Sequence, residues 1–114
     1  YIPTLETPEN QAFVKAFMAK HGTMPSEYSV QGYDAGLALM AAVDQGGTDS
    51  QSIAAALPKV SYVGPRGALE IDPATNNIVQ NIYVYDTVME NGALTQKLID
   101  TISSVRDDVA GCQM

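Results

Sequence analysis

The sequence has few groups that do chemistry. Among its 114 residues there is one cysteine, one histidine, no tryptophan and only six lysines and arginines. A single thiol, Cys112, permits no internal disulfide and no thiolate metal cluster, so cysteine use leaves the redox compartment open. Six cations against 13 acidic side chains give a formal charge of −7 without any basic cluster, which argues against nucleic acid or an anionic membrane as partner. No apolar run approaches the roughly 20 residues of a membrane span, and the opening YIPTLETPEN has neither the positive nor the apolar region of a secretion signal. The expectation is an acidic, soluble chain, long enough to bury one core and too short for two.

The groups that could react are badly placed for it. His21 precedes Gly22 in the last turn of an expected helix, where a cation is explained by the helix dipole, and no serine, cysteine or carboxylate is arranged around it. Cys112, in VAGCQM, has no fixed base beside it and reads as structural or incidental. GPRG and QGG are glycine-containing turns without the strand-to-helix context of a phosphate cradle; Arg66 in the first of them reads as an exposed turn arginine. Glu70 with Asp72 and Asp107 with Asp108 lack the spacing of a calcium loop and read as solvated surface. A hydrolase, a metalloenzyme and a nucleotide-binding enzyme each lack their minimum parts. No catalytic residue, metal site or cofactor is therefore expected.

What the sequence does contain is clear periodicity. Thr7-Pro8-Glu9 is a strong helix start, and Phe13, Val14, Phe17 and Met18 repeat at helical spacing up to Lys20, His21 and the closing Gly22. After GTMPS a second helix is expected, with Val30, Tyr33, Leu37 and Met40 on its apolar stripe and alanines keeping the rest thin enough to lie close against a sheet. Thr48 or Asp49 would cap a shorter third helix through Ile53, Ala56, Leu57 and Val60, disturbed by Pro58. From Ser61 the period changes to two: GALEID lies between the turns GPRG and DPATNN, and NIYVYDTVM and ALTQKLIDTI flank an Asn91-Gly92 turn. The order is helices first, strands last.

The terminal hairpin is unusual in one respect. Ile82, Val84 and Val88 would share one face and Tyr83, Tyr85 and Met89 the other, so neither face is polar. Such a hairpin needs cover on both sides. Two tyrosines at the second helix also stand out: Tyr33 falls on the apolar stripe, whereas Tyr28 comes one turn earlier, at the helix entrance, where a side chain can face a cleft.

TPENQAFVKAFMAKHGTMPSEYSVQGYDAGLALMAAVDQGG, then GPRGALEID, then VQNIYVYDTVMENG, together resemble the C-terminal third of type I periplasmic solute-binding proteins of ABC transporters, the group taking up branched-chain amino acids, amides and aromatic acids. The resemblance implies an α/β chain that is a fragment of a two-lobed fold. Residues 1–72 would close the first lobe, 73–80 would form the third crossover, and 81–114 would give the terminal hairpin and tail of the second lobe. It implies a periplasmic, non-enzymatic protein that binds a small carboxylate between the lobes and hands it to a membrane permease. Tyr28 would be the aromatic wall of that cleft, Tyr33 a core anchor, and Asp34 a capping or lobe-packing group. The donors that grip the carboxylate would come from earlier segments, so this chain alone is expected to bind no small ligand usefully. It is expected to self-associate, with exchange of the hairpin between chains. A sensor module of the same lobe architecture, controlling a partner protein, is the alternative reading.

Overall fold

A computed structural model describes residues 1–108 of the chain; Cys112 and the end of the expected second-lobe segment lie outside the described residues. Three helices precede a four-stranded sheet, as the change of period at Ser61 implied. Helix α1, Pro8–His21, is capped by Thr7, whose hydroxyl accepts the Asn10 amide, and ends at Gly22 in the left-handed region at φ 72°. Helix α2, Glu27–Gly46, starts with a capping box in which Ser26 and Ser29 exchange backbone-to-hydroxyl bonds. Helix α3, Ser50–Ala56, is capped by Asp49, which accepts the Gln51 and Ser52 amides. Donation from the Ser52 hydroxyl and these amides holds the Asp49 carboxyl below its ordinary range. Pro58 acts as expected: Leu57–Lys59 tightens into a 3-10 turn and ends the helical half.

The strands β1, Ser61–Gly64, β2, Gly67–Ile71, β3, Ile78–Glu90, and β4, Ala93–Val105, pair antiparallel in sequence order. Residues 73–77 form a turn closed by the Asp72 amide on the Asn77 carbonyl at 2.8 Å, and 78–80 already belong to β3. The Asn91-Gly92 turn has φ of 52° and 79°, the pair of positive values that a two-residue primed turn demands.

The buried stripe of α2 differs from the one its apolar residues suggested. Val30, Asp34, Ala38 and Ala42 are buried at four-residue spacing, while Tyr33 and Met40 are exposed and Leu37 is half-buried. Small side chains win the inner face because α3 and the following turn approach closely there, forming a core of Ala38, Ala42, Ala56 and Val60. Tyr33 instead packs its ring on Phe13 of α1, centroids 4.7 Å apart, so it joins two helices at the surface and does not anchor the core. At the other end, the fully buried Asn10 donates to the Pro3 and Leu5 carbonyls and accepts the Tyr1 hydroxyl, which fastens the first six residues onto α1.

The β3–β4 hairpin projects from this body. The molecule measures 51 × 36 × 19 Å, and strands of 13 residues, at about 3.3 Å each, account for the longest axis. Register pairs Ile82 with Ile102 on one face and Tyr85 with Leu98 and Met89 with Leu94 on the other. All six are exposed, from 41% at Ile82 to 71% at Leu94. The inference that both hairpin faces are apolar and uncovered by this chain holds for Ile82, Val84, Tyr85 and Met89; Tyr83 and Val88 of the expected set are half-buried.

Candidate functional site

Tyr28 is the second residue of α2 and is 77% exposed, so the capping box holds the helix end while leaving the ring in the open. Four residues earlier, the half-exposed Met24 lines a groove of about 340 Å³ between body and hairpin. Pro3, Thr4 and Met24 form its body side; Thr87, Leu94 and Gln96 form the hairpin side. The Thr4 hydroxyl crosses it, donating to the Gln96 carbonyl at 2.8 Å. Tyr28 stands at the same end of α2 as Met24 but is not part of the groove lining. The lining is made of hydroxyls, an amide and apolar groups. It can hold the apolar or neutral part of a small molecule, and it presents no cation to a carboxylate and no acid or base to a reaction.

The residues with titratable chemistry are engaged elsewhere. Arg66, expected to be exposed, has only 12% of its side chain in solvent, because the GPRG turn folds it back over α2. Its Nε donates to Asp34 Oδ2 at 2.5 Å, and a second guanidinium nitrogen donates to Gln80 Oε1 of β3. The Tyr62 hydroxyl donates to the Asp34 carbonyl at 3.0 Å, and the Tyr83 hydroxyl to the Arg66 carbonyl at 2.7 Å. Burial pushes the Asp34 carboxyl above its ordinary range, against the downward pull of the bond and charge of Arg66. Burial, and secondarily the Asp34 charge, pushes Tyr62 up to about 12. Asp34 Oδ1 is buried with no hydrogen-bond partner among the described residues and faces Gly64, where an added Cβ would lie 2.5 Å away.

This cluster is structural: its carboxylate is 1% exposed, out of reach of any ligand in solution. His21 is exposed and stacks on Phe17 at 4.4 Å between centroids. Glu70 and Asp72 both pair with Arg106, and Asn77 donates to Asp107 at 2.7 Å, so these acids serve as links across the sheet surface. Among the described residues no group of three or more His, Cys, Asp or Glu is placed to hold a metal ion. No described helix is long and apolar enough to cross a membrane. Sequence reasoning missed the groove, because its two walls are some 60 to 90 positions apart in the chain and share no local pattern.

Comparison with known proteins gives the frame for these features. The model of a family described as periplasmic binding protein matches residues 1–93. Leu/Ile/Val-binding protein homolog 6 of Brucella abortus (strain 2308) is 29% identical over 113 residues, covering 94% of this chain and 29% of the relative. The solute binding protein of an ABC transporter from Rhodopseudomonas palustris BisB5, solved with 3,4-dihydroxybenzoic acid, superposes with a TM-score of 0.86 at 32% identity, over 94% of this chain and 30% of that one. A second R. palustris solute binding protein, solved with benzoate, gives 0.83 at 34% identity, over 100% and 31%. The chain thus spans under a third of the length of the relatives it matches.

Proposed function

This chain belongs to the periplasmic binding protein family, and from that premise we propose that it forms part of an extracytoplasmic solute receptor of an ABC transporter. The receptor takes a small carboxylate, a branched-chain amino acid or an aromatic acid, between two lobes and presents it to a membrane permease. No bond is made or broken. Ligand bridging the lobes shifts the hinge equilibrium toward the closed form by its differential affinity for that form. Residues 1–72 contribute to one lobe, 73–80 lead across, and the hairpin from residue 81 belongs to the other.

One observation carries this reading: an aromatic ring, Tyr28, is held in the open by a capped helix end, four residues on from Met24 of a neutral body-to-hairpin groove, in a frame that superposes on benzoate- and dihydroxybenzoate-bound receptors. The groove's lack of any cation fits a chain that supplies the apolar wall while other segments supply the carboxylate grip. The benzoates in those neighbours favour an aromatic acid for this wall, since a tyrosine face and a planar ring gain about 0.5–1.5 kcal/mol beyond area burial. Titration calorimetry tests the reading in a polypeptide of the relatives' full length that carries these residues. Tyr28→Ala is expected to weaken binding of the preferred benzoate or amino acid about tenfold. Unchanged affinity removes Tyr28 from the cleft. The present chain alone is expected to show no micromolar binding of either class, and a micromolar titration would place the grip within these 114 residues after all.

Alone, the chain is also expected to associate with itself. Ile82 and Ile102 on one hairpin face, with Tyr85, Met89 and Leu98 on the other, form two apolar surfaces that a second copy can cover, by docking or by exchange of the hairpin. Sedimentation should give dimers or larger species that dissociate on dilution. A clean monomer at high concentration would contradict this.

A further inference from the structure

The hairpin is joined to the body by very little sheet. β2 and β3 share two paired positions, Glu70 with Val79 and Ile71 with Ile78, after which β3 runs on alone with β4. Immediately beyond that junction the β3–β4 register shifts between Gln80 and Ile82, with the extra residue on β4, where Ser104 has φ 52° and gives its amide to Asn81 Oδ1 at 3.1 Å. A bulge bends a strand pair and raises its local twist. Two rungs followed by a bulge leave the direction of the hairpin poorly determined by the backbone alone.

Arg66 spans this weak point. Its guanidinium takes Gln80, just before the bulge, and its carbonyl takes the Tyr83 hydroxyl, just after it. The same side chain is tied by Asp34 to the centre of α2, and Asp34 is tied by its own carbonyl to Tyr62 of β1. We propose that Arg66, acting through Gln80 and Tyr83 as positioning residues, braces β3 on both sides of the bulge and so sets the angle between the helical body and the hairpin. Arg106, just past β4, also pairs with Glu70 and Asp72, but on the body side of the bulge; beyond the bulge, the exposed Thr4 hydroxyl reaches the Gln96 carbonyl at the far end of the lever. β3 extends about 36 Å past the junction, so a swing of about 10° displaces its tip by about 6 Å. Such a displacement changes the width of the groove between Met24 and Leu94. That last consequence rests on the ligand reading; the angle is a property of this chain whatever the groove holds.

Pulsed electron-spin distance measurement tests the brace. Nitroxides are placed at Lys15 on the exposed face of α1 and at Glu90 near the hairpin tip, in a full chain carrying Cys112→Ser, diluted with unlabelled chain so that only distances within a molecule are read. Gln80→Leu with Tyr83→Phe is expected to broaden the distance distribution, with each 10° of added swing moving the tip by about 6 Å at this lever length. Far-UV circular dichroism should stay at its starting level. Gln80→Glu, which keeps an acceptor for Arg66, should retain the parent distribution, a rescue that general loosening would not give. If the double variant unfolds, Tyr83→Phe alone, which removes one hydroxyl, should broaden the distribution in the same direction. An unchanged distribution in a folded variant overturns the brace, as does finding that Thr4→Ala alone reproduces the full change. Either failure leaves the assignment of Tyr28 to a ligand cleft standing.

Discussion

Arg66→Met is expected to cost about 3–5 kcal/mol of folding stability at neutral pH, because it strands a carboxylate already removed from water. Asp34 is 1% exposed, and among the described residues Arg66 is its only cationic partner and Oδ1 has no hydrogen bond to fall back on. The pH dependence follows from the direction of the Asp34 shift. Desolvation raises its pKa in the folded protein and Arg66 opposes that rise, so removing Arg66 lets it climb further. A raised folded pKa means that the folded state keeps the proton where the unfolded state has lost it. Stability is then lost as pH rises from the ordinary carboxylate value through the folded one. Urea unfolding of Arg66→Met should therefore show a deficit that shrinks toward about pH 4 and grows toward about pH 7. Adding Asp34→Asn should recover most of the neutral-pH loss, since an amide is far cheaper to bury than an unpaired charge. Equal deficits at both pH values would mean that Asp34 is not the group left stranded.

The Asp34–Arg66 pair shows what a sequence reading can and cannot reach. GPRG announces a turn, and turn arginines usually face water; nothing local indicates that this turn folds back over a helix whose aspartate lies 32 positions earlier. There was one usable signal. Asp34 stands four residues after Val30 and four before Ala38, so a charge occupies a row of otherwise small apolar side chains. Reading the stripe from the largest apolar residues hid this, because the close approach of α3 selects alanines for the inner face and leaves Tyr33 and Met40 outside. Tyr28 was easier to place on the surface: it precedes the stripe and belongs to a capped first turn, where solvent is the default neighbour.

The elements themselves were legible wherever a local chemical rule governs them. Thr7 with Pro8, Asp49, Pro58 and the Asn91-Gly92 turn act as their side chains dictate. The two register shifts in β4 carry no such signature, since a bulge is decided by how two strands fit together. The apolar character of both hairpin faces was legible and physically informative: residues such as Leu94 and Ile99 stay 71% and 64% exposed among the described residues. That exposure fits a chain matching under a third of its relatives' length.

The second large effect concerns Gly46, the last residue of α2, set against a glycine in the middle of the same helix. In a helix interior, Gly→Ala ordinarily gains about 1 kcal/mol. At Gly36, on the open face of α2, an added Cβ meets nothing within 4 Å, and Gly36→Ala should show that gain as a higher melting temperature. Gly46→Ala should do the opposite. Its Cβ would lie 2.6 Å from the Ser52 carbonyl oxygen and 2.9 Å from the Ala56 Cβ, and the first of these is helix backbone that cannot rotate away. Relief requires moving α3, which carries Ala56, and with it the Val60 end of the core that rests on Ala38 and Ala42. Overpacking of this kind costs about 1–3 kcal/mol, enough to outweigh the helical gain. The paired variants separate propensity from packing, because the same chemical change on the same helix should shift the denaturation midpoint in opposite directions. A stabilised Gly46→Ala would mean that α3 does not dock at this distance, and the thin inner face of α2 would then lack its physical reason.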